Sequence, residues 1–326
     1  MGEFELIARY FKRPTRHAVL GVGDDCALLQ PTPGCQIAIS SDMLVEGRHF
    51  FPDVDPFALG HKALAVNLSD LAACAARPLA FTLALALPQA DAAWLEPFSR
   101  GLLALADAHD CELIGGDTTQ GPLNICITVF GEVPVVDGRS QALLRSGARA
   151  GDDIYVSGTL GDARLALECL SGKRVLPQAL FAQARQRLEA PTPRIALGLA
   201  LRGIATSAID ISDGLLGDLG HVLAASGVGG CIDTGKTSGL MACAGAALDA
   251  AVTPEAQLAC ILAGGDDYEL AFTAPPKARD AVQNAAFTSA TRVTRIGHIE
   301  TGAGLRLIDA QGAPISKQYR SFDHFA

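Results

Sequence analysis

Ile209-Asp-Ile-Ser-Asp-Gly-Leu-Leu-Gly-Asp218 organises the second half of the chain. Ala205–Ile209, before it, has strand character, and Leu215–Ala225, after it, has helical periodicity. The acidic residues therefore fall where a strand turns into a helix. Asp210 ends the strand. Ser212 and Asp213 stand at the helix start, where side-chain oxygens cap N–H groups and where those groups favour anions. Asp218 lies past the first turn and faces either the same site or solvent.

Working outward, similar short acidic signatures recur in Gly/Ser-rich surroundings. They are VGDD at Val22–Asp25, SSDMLVEGRHF at Ser40–Phe50, NLSD at Asn67–Asp70, GGDTT at Gly115–Thr119 and GGDDYEL at Gly264–Leu270. Carboxylates on tight turns suit hard divalent cations. Mg²⁺ takes near-octahedral oxygen ligands and sits between protein carboxylates and substrate phosphates. The pattern points to phosphate chemistry in an enzyme. Gly21 and Gly23 let the backbone at Asp24 and Asp25 approach a phosphate, although a turn with two solvated aspartates fits the same letters. The stretch CQIAIS reads as a strand that delivers Ser40, Ser41 and Asp42 at its end, where carbonyl, hydroxyl and carboxylate can share a cation. An N-cap role for Ser41 or Asp42 competes with that reading. Asn67, Ser69 and Asp70 interrupt the helical stretch Pro56–Ala76 and need partners if buried, unless Asp70 caps Leu71–Ala76. Asp117 follows the short strand Glu112–Ile114 and reads as a phosphate or metal turn. His49 follows the Asp42 turn and is a candidate substrate contact, beside His17 and His61. Arg145 sits in a Ser-Gly loop and suits bidentate phosphate binding, or is an ordinary exposed arginine.

Further helices are expected over Glu3–Phe11, Ala93–Asp107, Ala163–Cys169, Ala179–Leu188, Pro193–Leu201, Thr253–Ala263 and Lys277–Ala286. Strands are expected over Ala80–Leu87, Asn124–Glu132, Ile154–Ser157, Glu269–Phe272, Arg292–Ile299 and Gly304–Ile308. The order mixes strands and helices without a regular βαβ repeat, which suggests α+β. With 326 residues there is length for two domains. Turn chemistry within Val133–Asp152 marks the boundary, giving domains over 1–137 and 138–326.

A net charge of -9 with no basic patch excludes a nucleic-acid groove. The longest uncharged apolar run, near Leu79–Leu87, is too short to span a bilayer, and MGEFELIARYFKRP has no apolar core of signal-peptide type. Leu6 replaces the hydroxyl residue that myristoylation would need. Nine cysteines without CxxC or zinc-like spacing read as free thiols, and the cytoplasm is the expected address. Gly230–Thr237 matches the Walker A expression in letters but not in context. A P-loop leaves a buried strand and enters a helix, whereas Ser226-Gly-Val-Gly-Gly before this stretch is a turn after a helix, so a loop is expected.

Taken together, GVGDDCALL, SSDMLVEGRHF, NLSDLAACAARP, GGDTT, RSGARAGDDIYVSG, IDISDGLLGD and GGDDYEL, in this order, resemble the bacterial thiamine-monophosphate kinase family. The likeness runs through Ile299, and Phe322-Asp-His-Phe325 fits the family's tail. Single pieces recur across the aminoimidazole-ribonucleotide synthetase-like (PurM-like) superfamily, so another ATP-dependent member, such as a ribonucleotide synthetase, is the alternative. The resemblance implies a two-domain PurM-like α+β or α/β fold. Its N-terminal domain would bind ATP and Mg²⁺ and dimerise through a barrel-like sheet interface, and its C-terminal domain would be α/β. It implies a homodimer that transfers the ATP γ-phosphoryl in line to thiamine monophosphate, giving thiamine diphosphate and ADP, with several Mg²⁺ ions. By motif position, Asp25, Ser40, Ser41, Asp42, Asp70, Asp117, Asp210 and Asp213 would hold metal, with Asp42, Asp117, Asp210 and Asp213 as the catalytic carboxylates. Gly116, Asp117, Arg145, Ser212 and His109 would contact the nucleotide. His49, Asp266 and Phe322 would contact thiamine monophosphate. Asp266 stands where the family usually has Glu, and His109 where relatives commonly carry Tyr.

Overall fold

The computed structural model describes Gly2–Phe322, so the part of the tail signature after Phe322 lies outside the described residues. Two compact units form, Met1–Leu71 with Ala76–Gln141, and Ala72–Ala75 with Ala142–Ala326.

The first unit contains α1 (Glu3–Tyr10), β1 (Cys35–Val45), α2 (Pro56–Ala73), β2 (Arg77–Leu87), α3 (Ala92–Ala108), β3 (Glu112–Gln120), β4 (Asn124–Val136) and the short β5 (Arg139–Ser140). Its sheet runs β1-β4-β2-β3, with β5 on β4. β4 pairs antiparallel with β1 and β2, and β2 pairs parallel with β3. Leu64, Leu68 and Leu71 of α2 are buried, as are Phe81, Leu85, Ile125 and Val129 of the sheet. Each such side chain contributes about 1.5–3 kcal/mol by leaving water. Along β1, Ile37, Ile39 and Met43 remain exposed at 37%, 63% and 52%. An apolar row of that kind on a sheet face is characteristic of an interaction surface.

Two expectations are corrected here. β1 does not end at Ser40 but continues to Val45, so Ser40, Ser41 and Asp42 lie inside a strand. β3 likewise runs through Asp117 to Gln120 rather than stopping at Ile114. In both cases hydroxyl, glycine and carboxylate residues of low strand propensity are held in place by a fully registered neighbour. Ser40–Asp42 pair with Val129, Thr128 and Ile127, and Gly116 and Asp117 pair with Leu83 and Ala84.

The second unit contains β6 (Asp153–Ser157), α4 (Asp162–Leu170), α5 (Gln178–Glu189), α6 (Ile195–Ala200), β7 (Ser207–Asp210), α7 (Leu215–Ser226), β8 (Gly229–Asp233), α8 (Ala246–Ala251), α9 (Pro254–Ala263), β9 (Leu270–Ala274), α10 (Arg279–Thr288), β10 (Val293–Glu300) and β11 (Gly304–Ile308). Its sheet order is β11-β8-β10-β6-β9-β7. Among the described residues, β11 and β8 pair in parallel and the other pairings of this sheet are antiparallel. Leu165, Leu219, Val222, Leu262, Ile232, Ile299 and Ala271 join one hydrophobic core from α4, α7, α9 and the sheet. The look-alike stretch Gly230–Thr237 is not the expected loop. It is most of β8 followed by a single 3₁₀ turn over Thr234–Lys236. No helix follows to present N–H groups, so a P-loop is absent there. No helix among the described residues is long and apolar enough to cross a membrane.

Candidate active site

In the first unit, the polar residues that interrupt α2 meet β1. Asn67 is 1% exposed. Its Oδ1 accepts the Asp42 N–H at 3.1 Å, and its Nδ2 donates to the Ala63 carbonyl at 3.0 Å. Asp70 is inside the helix, not at a cap, and its Oδ2 accepts the Ser40 hydroxyl at 2.5 Å. Burial, and then the nearby Asp70 charge, push the Asp42 carboxyl up to about 6. Two carboxylates and a hydroxyl thus converge where negative charge is disfavoured. A hard cation relieves that arrangement, and the donors are all oxygen, as Mg²⁺ requires. Ser41 departs from the expected set. Strand alternation turns it to the other face, where its hydroxyl lies 2.9 Å from Thr128 Oγ1 and donates to the Ile127 carbonyl at 3.1 Å.

A second group lines a cavity of about 720 Å³ whose walls include Glu3, Phe4, Asp24, Asp25, Gly116 and Asp117. Asp25, Gly116 and Asp117, far apart in sequence, are therefore brought together. Asp24, named with Asp25 in the glycine turn but not among the ligand candidates, also lines the cavity, and its Oδ1 accepts the Asp25 N–H at 2.8 Å. Gly116 has φ +143, and a Cβ there would stand 1.9 Å from the Leu83 carbonyl oxygen. Only glycine lets β3 follow β2 at this point while leaving open space beside Asp117. Asp42 and Asp70 are not part of this cavity wall, nor are His49 and His109. His49 closes the loop after β1, its Nδ1 accepting the Val45 N–H at 3.0 Å, which leaves the proton of the neutral ring on Nε2. His109 is the residue after α3. Burial, and then neighbouring His61, hold its imidazole below the ordinary value.

In the second unit, three separated signatures converge. Asp210 ends β7 and is 5% exposed. After it the backbone turns. The Asp266 N–H donates to the Ser212 carbonyl at 2.8 Å, and the Phe322 N–H donates to the Asp213 carbonyl at 3.0 Å. Ser321 also accepts the Gly217 N–H at 2.9 Å. Ser212 and Asp213 do not cap α7, whose N-cap is Gly214 with no side-chain cap bond. Instead Asp218 reaches back. Its Oδ2 accepts the N–H groups of Ser212, Asp213 and Gly214 at 3.1, 3.1 and 3.0 Å. Asp218 is buried, so it faces neither solvent nor an open site. Burial, and then the Asp213 charge against those hydrogen bonds, raise its carboxyl to about 6. Asp266 and Tyr268 adopt φ +65 and +49, left-handed values that non-glycine residues rarely take. The Tyr268 hydroxyl donates to Asp266 Oδ1 at 3.4 Å. Arg145 is exposed, and its loop docks on Ser226 at the other end of α7. That is one helix length, about 18 Å, from the Ser212–Gly214 turn. Arg145 and Ser212 are therefore not neighbours along this helix.

Tyr268 was not singled out from the sequence, and Asp218 and Asn67, although named within their signatures, were given no defined role. A carboxylate at a helix start and a tyrosine after two acidic residues carry no signal of which backbone group they serve.

Residues 23–133 match the family described as AIR synthase related protein, N-terminal domain. The thiamine-monophosphate kinase of Escherichia coli K12 is 46% identical over 329 residues, covering 100% of this chain and 98% of that protein. The crystal structure of thiamine-monophosphate kinase from Stenotrophomonas maltophilia K279a superposes with a TM-score of 0.83 at 45% identity, over 96% of both chains. A structure described as AaThiL complexed with AMPPCP and TMP gives a TM-score of 0.76 at 29% identity, over 91% of this chain and 89% of that one.

Proposed function

The chain belongs to the thiamine-monophosphate kinase family, and from that premise we propose that it transfers the γ-phosphoryl group of ATP to thiamine monophosphate. A phosphate oxygen of thiamine monophosphate forms a bond to the γ-phosphorus. The bond from that phosphorus to the β,γ-bridging oxygen breaks, and ADP leaves. The acceptor is already an oxygen anion, so no general base is required, and positioning is the main catalytic task. The observation that carries this reading is the oxygen cluster at the β1–α2 contact, in which Asp70 accepts the Ser40 hydroxyl and its charge acts on the nearby Asp42 carboxyl.

Mg²⁺, when bound, offsets the repulsion between two anionic substrates. In the first unit Ser40, Asp42 and Asp70 supply one set of hard oxygen ligands, and Asp25 and Asp117 supply another on the cavity wall. In the second unit Asp210 and Asp213 supply a third. Ser41 drops out of the side-chain set because its hydroxyl serves Thr128. Gly116 and Asp117 offer open backbone and a carboxylate to the nucleotide, and Ser212 offers its hydroxyl, its N–H being held by Asp218. Arg145 reaches nucleotide only through its exposed side chain from the far end of α7. His109 retains a ring that can stack on adenine. His49, held at the loop after β1, and Asp266, steadied by Tyr268, recognise thiamine monophosphate. Phe322, half-exposed beside the Asp213 turn, packs against its rings. Residues 1–137 serve as the ATP- and Mg²⁺-binding and dimerisation domain, and 138–326 as the α/β domain. The exposed row Ile37, Ile39 and Met43 supports a homodimer closed across the first sheet as a barrel-like interface. The expected setting is the cytoplasm.

The test is a coupled ADP-release assay with ATP and Mg²⁺, with and without thiamine monophosphate, and chromatography for thiamine diphosphate. Stoichiometric ADP and thiamine diphosphate support the assignment. Folded, ATP-binding protein that forms no diphosphate refutes it.

A further inference from the structure

The six-stranded sheet carries a cluster that phosphoryl transfer leaves unused. Cys231 on β8 pairs in register with His298 on β10 and with Arg306 on β11. Glu300 follows His298 on β10 with one residue between them, so it projects from the same face. The alternating residues Ile232 and Ile299 belong to the hydrophobic core on the opposite face. One ligand atom from each of Cys231, His298 and Glu300 lies within 4.8 Å of the other two. His298 Nε2 and Glu300 Oε1 are 3.3 Å apart. Two ligands bound tetrahedrally at about 2.0–2.1 Å stand about 3.3 Å from each other, so this edge already has the required length. Cys231 is buried beneath the pair, while the His298 side chain is 52% exposed, which leaves a fourth position open to water.

We propose that Cys231, His298 and Glu300 form a site for a single Zn²⁺ ion, with water as the fourth ligand. Thiolate, imidazole and carboxylate together suit borderline-soft zinc and disfavour Mg²⁺, which takes oxygen ligands. As the ion binds, the Cys231 S–H bond breaks, its proton passes to solvent, and the sulfur–zinc bond forms. Arg306 now stands in for the cation. Its guanidinium donates to both Glu300 oxygens, from Nε at 3.0 Å and from Nη2 at 2.5 Å. Its side chain is 57% exposed and can swing out on its long stem. Asp153, opposite His298, is committed to Arg279 and Arg295 and does not compete. The bound ion ties β8 to β10, an interior pairing of the sheet, and acts as a structural clip rather than a participant in catalysis.

The test titrates the full chain, freed of divalent cations, with Co²⁺ as the spectroscopic probe for zinc. One equivalent is expected to bring the intense visible bands of tetrahedral cobalt and a near-ultraviolet thiolate-to-cobalt band, both displaced by Zn²⁺. Cys231→Ser should remove the thiolate band, and His298→Ala should weaken binding by about tenfold or more. Arg306→Gln keeps all three ligands, frees Glu300 from its ion pair and should tighten binding, which keeps the proposal testable if Cys231→Ser does not fold. Absence of the thiolate band in the unaltered chain, its survival in Cys231→Ser, or unchanged affinity in folded His298→Ala overturns the site.

Discussion

Asp218→Ala separates a scaffolding role from a ligand role at the Asp210–Gly214 turn. One oxygen of Asp218 accepts three successive backbone N–H groups, and no side chain caps α7 in its place. Removing it leaves the buried Gly214 N–H unpaired, which costs about 1–3 kcal/mol. The Ser212 and Asp213 N–H groups are only part-buried. Water replaces some of their loss, so each adds about 0.5–1 kcal/mol. The expected total for Asp218→Ala is about 3 kcal/mol, read as a lower urea midpoint at unchanged slope. Asp218→Asn keeps an acceptor oxygen in the same place and should cost about 1 kcal/mol. The turn carries Asp210, Ser212 and Asp213, so loosening it by about 1 Å should lower kcat roughly a hundredfold in Asp218→Ala. Asp218→Asn should retain most activity. Equal urea midpoints for the unaltered chain and Asp218→Ala would refute the scaffold. Full stability with lost activity in Asp218→Asn would show that the carboxylate charge acts on metal or substrate directly.

Asp42→Asn should raise the Mg²⁺ concentration for half-maximal turnover by about tenfold or more, because a hard anionic ligand is lost; unchanged Mg²⁺ dependence removes Asp42 from the ligand set. Gly116→Ala should abolish measurable ATP binding by calorimetry and lower thermal stability, since its Cβ would meet the Leu83 carbonyl at 1.9 Å. Asp153 sets a pH dependence. Burial alone would raise its carboxyl, but hydrogen bonds and charge from Arg279 and Arg295 hold it below the ordinary carboxylate value. A depressed folded value means this stability is present above the unfolded pKa and is lost as pH falls through the folded one. Asp153→Asn should therefore lose about 2 kcal/mol at neutral pH, after discounting the half-exposed arginines, and the gap to the unaltered chain should close below about pH 4 in urea titrations. If the chain pairs through the β1 face as proposed, Ile39→Lys should sediment as a monomer where the unaltered chain sediments as a dimer; a dimeric Ile39→Lys rejects that face as the interface.

Much of the element order was legible because periodicity survives where one face is buried. α3, β6, α7, α9, β9 and β10 lie within a few residues of their expected bounds. β8 was missed because it begins with two glycines, which carry no strand propensity. They stand there because the chain returns close by, and a Cβ at Gly229 would lie 1.8 Å from the Gly302 carbonyl. A residue chosen for what another segment leaves room for gives no local signal.

The site shows the same division more sharply. The aspartates were found as residues but misjudged as turn residues. Asp42 and Asp117 sit within strands, where pairing with β4 and β2 overrides their local preference for turns. The consequence is chemical as well as architectural. A carboxylate on a turn points where a flexible backbone allows. On a strand, alternation fixes its face, which is why neighbouring Ser40, Ser41 and Asp42 divide between α2 and the open side of the sheet. The same alternation puts Ser41 in the exposed row with Ile39 and Met43 and keeps Ser40 and Asp42 with Asp70 and Asn67. One strand can thus carry ligand oxygens on one face and an association surface on the other, and substitutions at adjacent positions should separate the two roles. Replacing Ile39 should change assembly while leaving the Mg²⁺ requirement per active chain unaltered, whereas replacing Asp42 should do the reverse.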